Sequence, residues 1–302
     1  MIDFKKATLD DENLIAGYFK KYPSRSCERT FSNIYLWSRE YPVTFAVVEN
    51  TLVFKREIDG KVAFTYPAGE HEDVKAAVCT LHGFCEEKGV PIVFYMVTPP
   101  QFEEIESLYP GKFEVEYLRD IADYVYEREK LATLAGKKLH GKRNHINRFL
   151  STYEGRWSYE RLSEDNVEDC FQMAIKWGEA YDGYKDREKN AELTVAINSL
   201  RLFKELRYIG GVLRVDGEVV AFTSGEEVTE DTIVVHIEKA MADIEGAYPM
   251  INQQFVKNEC EKYTYVNRED DAGVEGLRKA KLSYRPAFLV EKGEVRLKGE
   301  CK

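Results

Sequence analysis

Residues 266–286 read Val-Asn-Arg-Glu-Asp-Asp-Ala-Gly-Val-Glu-Gly-Leu-Arg-Lys-Ala-Lys-Leu-Ser-Tyr-Arg-Pro and carry a dense set of groups that could do chemistry. Aromatic and β-branched residues at 263–266 predict a short strand. An acidic loop follows, with Asn267, Glu269 and Asp270. A helix then starts near Gly273 and must stop before Pro286. Leu277, Ala280 and Tyr284 share one face of that helix, and Arg278, Lys281 and Arg285 form a stripe beside it. Charged groups between a strand end and a helix stand where α/β folds place ligand groups. An acidic loop feeding a basic stripe suits a zwitterionic or amine-bearing molecule. The alternative is a solvated loop and a surface helix.

Two further constellations bear on the same chemistry. His236 and Glu238 alternate along a strand at 232–239, which directs both to one face with Val234. Glu226 ends the neighbouring hairpin strand. A His and a Glu there suit acid–base work on an amine, whose nucleophilic form must lose a proton. The competing reading is a solvated sheet face. The second constellation is a basic block at 137–148, with five Lys or Arg, two His and no acid. Read as a helix, it places Arg143 on the apolar stripe of Leu139, Ile146 and Leu150, and Lys142 on another with Lys138, His145 and Phe149. A guanidinium turned toward protein seeks a carboxylate or a phosphate. Either the helix binds an anion (a tRNA acceptor end, a nucleotide, a lipid phosphate) or it is a linker whose Arg pairs an internal acid.

The elements that must position these groups occur twice over. Strands at 43–48, 52–58 and 62–66 are joined by turns at Glu49-Asn50 and Asp59-Gly60, and Asp-Gly is a strong hairpin signal. A helix at 72–88, a strand at 91–97, a helix opened by Pro99-Pro100, and strands at 113–118 and 124–127 complete the first half. The second half begins with helices at 164–181, where Trp177 and Tyr181 are spaced for core packing, and 191–206. A hairpin of 210–215 and 218–225 follows, turning at Asp216-Gly217, with a third strand at 232–239. A helix over 249–262 leads to the strand and helix described first. Strands at 288–290 and 294–297 then end the second sheet. These patterns predict two lobes, 1–130 and 131–302.

Composition narrows the function. The chain has 302 residues, 44% of them hydrophobic, with 19 Tyr and 16 Phe to fill two cores. A net charge of −10 argues against an extended nucleic-acid surface and against DNA as a partner. No apolar run is long enough for a membrane span, and the N-terminus lacks the apolar core of a signal peptide. A cytoplasmic protein is therefore expected. The six cysteines, Cys27, Cys79, Cys85, Cys170, Cys260 and Cys301, and the five histidines are dispersed, so no metal site is expected. No P-loop, dinucleotide fingerprint or nucleophile elbow occurs.

The order of helices, antiparallel meander, helix, strand, helix and closing strands is that of the GNAT acyltransferase fold. The segments Lys142-Arg143-Asn144-His145-Ile146-Asn147, Tyr248-Pro249-Met250-Ile251-Asn252 and Asn267-Arg268-Glu269-Asp270…Gly276-Leu277-Arg278-Lys279-Ala280-Lys281 resemble those of one bacterial family. That family shares the C-terminal catalytic domain of phosphatidylglycerol lysyltransferases and is related in fold to the Fem-type aminoacyltransferases. The resemblance implies an α+β chain of tandem GNAT-like lobes, each a mixed, mostly antiparallel sheet flanked by helices. It implies transfer of an acyl or aminoacyl group to the amine or hydroxyl of a small or peptide acceptor. It also implies aminoacyl-tRNA as donor, engaged through the basic helix.

In GNAT enzymes the junction before the helix at 249–262 cradles the pyrophosphate of coenzyme A. Here that loop has one glycine, Gly246, with Asp243 and Glu245, which disfavours acyl-coenzyme A. No other cofactor is expected. On this reading Glu238 and Glu269 surround the amine, and Tyr284 protonates the leaving group by analogy with a tyrosine on the last GNAT helix. Glu226, His236, Tyr248, Asn252, Asn267 and Asp270 line the substrate. Lys142, Lys281 and Arg143 meet donor phosphates. The alternative is a non-catalytic ligand-binding module that retains the fold.

Overall fold

The computed structural model describes residues 2–180 and 187–299, so Tyr181 and Cys301 lie outside the described residues. The strands in chain order are β1 (Val43–Val48), β2 (Thr51–Ile58), β3 (Lys61–Thr65), β4 (Val93–Val97), β5 (Phe113–Tyr117), β6 (Asp123–Glu127) and β7 (Trp157–Arg161). They continue as β8 (Ile209–Val215), β9 (Glu218–Thr229), β10 (Thr232–Ala240), β11 (Tyr265–Asn267), β12 (Phe288–Val290) and β13 (Gly293–Leu297). They form two mixed sheets flanked by helices, in the orders β1-β2-β3-β4-β13-β5 and β12-β6-β11-β10-β9-β8-β7. The chain divides into two compact units. One is Met1–Asp123 with Asp270–Gly273 and Val290–Lys302; the other is Tyr124–Glu269 with Val274–Leu289.

The expected hairpins form for the expected reason. Asp59 and Gly60 have φ of +51° and +76°, and Asp216 and Gly217 have +52° and +84°. Two successive left-handed residues match the twist of the flanking strands, and Asp-Gly adopts them at little cost. Three features depart from the sequence reading. The strand at 294–297 does not end the second sheet: β13 is inserted in the first, antiparallel to both β4 and β5, with Val295 in that core. Gly293 permits this, since a Cβ there would stand 2.6 Å from the Glu116 carbonyl oxygen. The strand at 124–127 (β6) joins the second sheet, antiparallel to β11. The third departure is β7, which was not foreseen and pairs with β8 at the edge of that sheet.

What positions the second unit's polar groups is the divergence of two parallel strands. β10 and β11 pair only over Thr232↔Tyr265, Ile233↔Val266 and Val234↔Asn267. Beyond that point β11 ends while β10 runs on to Ala240 with β9 as its partner. A bulge between Val235 and Ile237 shifts the alternation there. Ile233 and Val235 before it, and Ala240 after it, all pack in the core with Met250, Ile251 and Phe255 of the helix Ala247–Glu259. Glu238 therefore shares the helix-facing side, and His236 does not share it. The expectation that the two point to one face fails because the extra bulge residue inverts the period-2 pattern.

Candidate functional site

Glu238 emerges where β10 and β11 part. Its Oε1 accepts a hydrogen bond of 2.7 Å from Arg268 Nη2, and its Oε2 accepts one of 3.0 Å from Asn252 Nδ2. Asn252 comes from the second turn of the helix Ala247–Glu259, and Arg268 directly follows β11. The guanidinium carbon lies 4.9 Å from the ring centre of Tyr284 and 5.9 Å from that of Tyr126. Lys142, on the helix His140–Thr152, places its ammonium 4.1 Å from the same Tyr284 ring centre. Lys142, Asn252, Glu238 and Tyr284 are thus brought together, from two helices, a strand and the turn after the helix Glu275–Leu282.

The electrostatics of this cluster are lopsided. Two cations flank one ring, and one carboxylate lies between them. Burial works against the charge of Arg268, yet Glu238 holds its pKa above the ordinary value. Lys142 is lowered, by burial first and by Arg268 second, with Glu238 opposing. Burial pushes Tyr284 up to about 12 against the pull of Arg268, so its hydroxyl keeps its proton at neutral pH. Two atoms are orphaned: Arg268 Nη1 and Asn252 Oδ1 are buried and make no hydrogen bond among the described residues. Each costs roughly 1–3 kcal/mol if it stays so, and a ligand that bonds both atoms removes that cost.

The other expected residues go elsewhere. His236 lies between Glu269, 2.7 Å from Nδ1, and Glu226, 3.0 Å from Nε2. Burial disfavours the imidazolium, but the two carboxylates lift its pKa to about 10. Glu269 is consequently bound to His236 and does not join Glu238 around an amine; residues 268 and 269 point their side chains to different partners. Asn267 Oδ1 accepts the Glu269 amide at 2.7 Å and shapes the turn. Asp270 belongs to the first unit, where its Oδ1 accepts the Ala272 amide at 3.0 Å.

Lys281 Nζ donates to the Arg268 carbonyl at 2.6 Å, so it holds the loop in place. Arg143 Nη1 donates to the carbonyls of Leu134, the C-cap of the helix Arg128–Thr133, and of Gly136; among the described residues it forms no salt bridge with an acid. Tyr248 is partly exposed, and burial raises its hydroxyl against hydrogen bonds from the Ala240 amide and Trp177.

In the first unit, the one group of prospective metal ligands among the described residues is Cys27, Glu28 and Asp123. Lys292 occupies the place a cation would take, with Nζ 2.7 Å from Glu28 Oε1, 2.8 Å from Asp123 Oδ1 and 3.7 Å from Cys27 Sγ.

With this geometry in hand, comparison with known proteins is decisive on family. The model of the phosphatidylglycerol lysyltransferase C-terminal family matches residues 19–292. The chain belongs to that family. It is 38% identical to a conserved protein of unknown function from Bacteroides thetaiotaomicron, over 99% of this chain and 100% of that one, with a TM-score of 0.92. L-PGS from Bacillus licheniformis superposes with a TM-score of 0.66 at 14% identity, covering 96% of this chain and 93% of that one. FemX superposes with a TM-score of 0.51 at 8% identity, over 97% and 96% of the two chains, which extends the likeness in fold to Fem proteins. An uncharacterised protein from Mycoplasmoides gallisepticum is 23% identical over 192 residues, a match spanning 60% of that relative's length.

The phosphatidylglycerol lysyltransferase C-terminal family is a transferase family, and the fold is the expected mixed α+β one, two mixed sheets flanked by helices, shared with FemX. No helix among the described residues is long and apolar enough to cross a membrane. The residue that sequence reasoning passed over is Arg268. Its signal was present: Val266 is a core residue of β11, and a side chain two positions on leaves the strand toward the same side.

Proposed function

We propose that the protein transfers an aminoacyl group from aminoacyl-tRNA to an amine or hydroxyl acceptor, at the cluster around Arg268. The observation that carries this reading is the pair of orphaned buried atoms. A donor, Arg268 Nη1, and an acceptor, Asn252 Oδ1, flank a carboxylate already held in place. An aminoacyl ester offers the complement: a carbonyl oxygen for the guanidinium and an α-ammonium for Asn252 and Glu238. In the transfer, the acceptor nitrogen or oxygen attacks the ester carbonyl carbon. Negative charge grows on the carbonyl oxygen, where a buried guanidinium stabilises it most. The new C–N or C–O bond forms, the ester C–O bond breaks, and the departing ribose oxygen takes a proton from the Tyr284 hydroxyl.

The family name makes lysyl the first group to try. The exposed Lys137 and Lys138 at the start of the basic helix suit the tRNA phosphates. Coenzyme A is disfavoured as donor carrier. Gly246, at the start of the helix Ala247–Glu259, packs against the His145 carbonyl, and Glu245 is paired to Arg148 at 2.9 Å where a pyrophosphate would lie. Micromolar binding of acetyl-coenzyme A by calorimetry would remove that argument.

The test is transfer from a set of radiolabelled aminoacyl-tRNAs to phosphatidylglycerol vesicles, peptides and simple amines. Arg268→Lys keeps the cation beside Glu238 but loses the second N–H, and should cost at least about tenfold in rate. An unchanged rate would sink the assignment. One observation favours the binding-module reading: both oxygens of Glu238 already accept a hydrogen bond from protein. Aminoacyl-tRNA that binds in an Arg268-dependent way without turnover would favour it.

A further inference from the structure

The cluster holds two cations against one acid, and the cations are not equivalent. Arg268 is bound to Glu238 at 2.7 Å. Lys142 forms no salt bridge among the described residues; its half-buried Nζ lies over the Tyr284 ring, with Arg268 on the same ring. A guanidinium keeps its proton at any accessible pH, whereas an ammonium gives one up when desolvated beside a like charge. With Glu238 ionised, the trio is neutral only if Lys142 is uncharged. We propose that Lys142 is held as the uncharged amine and is the proton acceptor of the transfer step, a catalytic role that rests on the transfer reading above.

The remaining groups around it do not supply the missing acid. On its own helix Lys138 and His145 lie one turn to either side, and the Tyr126 and Tyr284 hydroxyls are raised by burial. Toward the helix Ala247–Glu259, Glu245 is taken by Arg148, and Tyr248 and Asn252 bring no charge. Burial and Arg268 lower the Lys142 pKa, the direction this arrangement requires. As the acceptor attacks, its N–H or O–H proton passes to Lys142 Nζ, while the Tyr284 proton goes to the ribose oxygen. Lys142 then returns its proton through solvent to the tyrosinate, so protons balance over one turnover and no further reactant is needed. Glu238 is committed to holding Arg268, Asn252 and the donor's α-ammonium, which leaves Lys142 as the base.

The experiment has two arms on the full chain. Reductive methylation with ¹³C-formaldehyde, with the Lys142 signal identified by its loss in Lys142→Arg, reads the titration of this amine directly. Lys142 should titrate well below the other lysines, and Arg268→Gln should move it back toward them. A titration in line with the other lysines overturns the proposal. In the transfer assay, Lys142→Gln and Lys142→Arg should both lose about 100-fold or more in kcat, since arginine restores charge but accepts no proton. Rescue by Lys142→Arg overturns the base role. If the wild type transfers from no aminoacyl-tRNA, the transfer reading falls and takes the base role with it, while a low titration still upholds the uncharged amine.

Discussion

Glu238 and Arg268 meet at 2.7 Å inside the second unit, each with 13% of its side chain exposed. The pair fixes the loop after β11 to the end of β10. A buried ion pair contributes little net stability when intact, because desolvation offsets its Coulomb attraction; removing one partner strands the other. Arg268→Ala should therefore cost about 3–5 kcal/mol. Glu238→Gln keeps an acceptor for Arg268 and should cost less, and the double change to Met at both positions should recover much of the loss. Urea denaturation of the four proteins checks the order. Equal losses in the two single variants would show that the pair does not act as a unit.

His236 gives the protein a defined pH dependence. Its folded pKa, about 10, lies above the ordinary value of 6.5. The folded state binds the extra proton between those values, so this contribution is fully present below about pH 6.5 and is lost as pH rises through 10. The size is on the order of a few kcal/mol. Thermal melts from pH 6 to 10 should show the wild type losing more stability than His236→Gln, which leaves Glu226 and Glu269 facing each other at every pH. Parallel curves for the two proteins would refute the assignment.

In the first unit the decisive group is Lys292, which is fully buried among Cys27, Glu28 and Asp123. Burial opposes its charge, but Asp123 and the neighbouring acids hold its pKa well above the usual range. Lys292→Met leaves the buried Asp123 and the part-buried Glu28 without the cation they share and should cost about 3–5 kcal/mol. Asp123, whose own pKa is raised by burial, is the cheaper of the two to neutralise. Adding Asp123→Asn to Lys292→Met should therefore restore part of the loss. A loss under about 1 kcal/mol for Lys292→Met would contradict the account.

The legible part of this molecule is local. Asp-Gly turns, the β1–β3 and β8–β10 meanders and the helix Pro99–Leu108 follow from residues a few positions apart. Residues 142 and 238 were marked for chemistry by type and position and 252 and 284 by the family resemblance, and the structure gathers the four. What escaped is non-local or depends on a single inserted residue. Nothing in the five residues of β13 tells which sheet will take them, since partners come from Phe94 and Val115, far away in the chain. The bulge before Ile237 separates His236 from Glu238 although the period-2 pattern puts them together. Arg143 and Lys281 looked like anion ligands because their charge was visible, whereas the backbone carbonyls that engage them were not.

Gly246 links stability to the site. Its φ is +85°, and a Cβ there would stand 2.7 Å from the His145 carbonyl oxygen and 3.0 Å from Phe149 Cβ. It precedes the helix that carries Asn252 and touches the helix that carries Lys142. Gly217 is the natural control: φ is +84°, yet a Cβ there meets nothing within 4 Å. Both Ala substitutions pay the left-handed strain of about 1–2 kcal/mol, but only Gly246→Ala must also push two helices apart. Gly246→Ala should be the more destabilising by at least about 1 kcal/mol. It should also withdraw Lys142 from Tyr284, raising the titration of the amine toward that of exposed lysines, while Gly217→Ala leaves that titration where it is. Equal melting temperatures and an unmoved Lys142 in the two variants would mean that the helix contact at Gly246 does not set the geometry of the site.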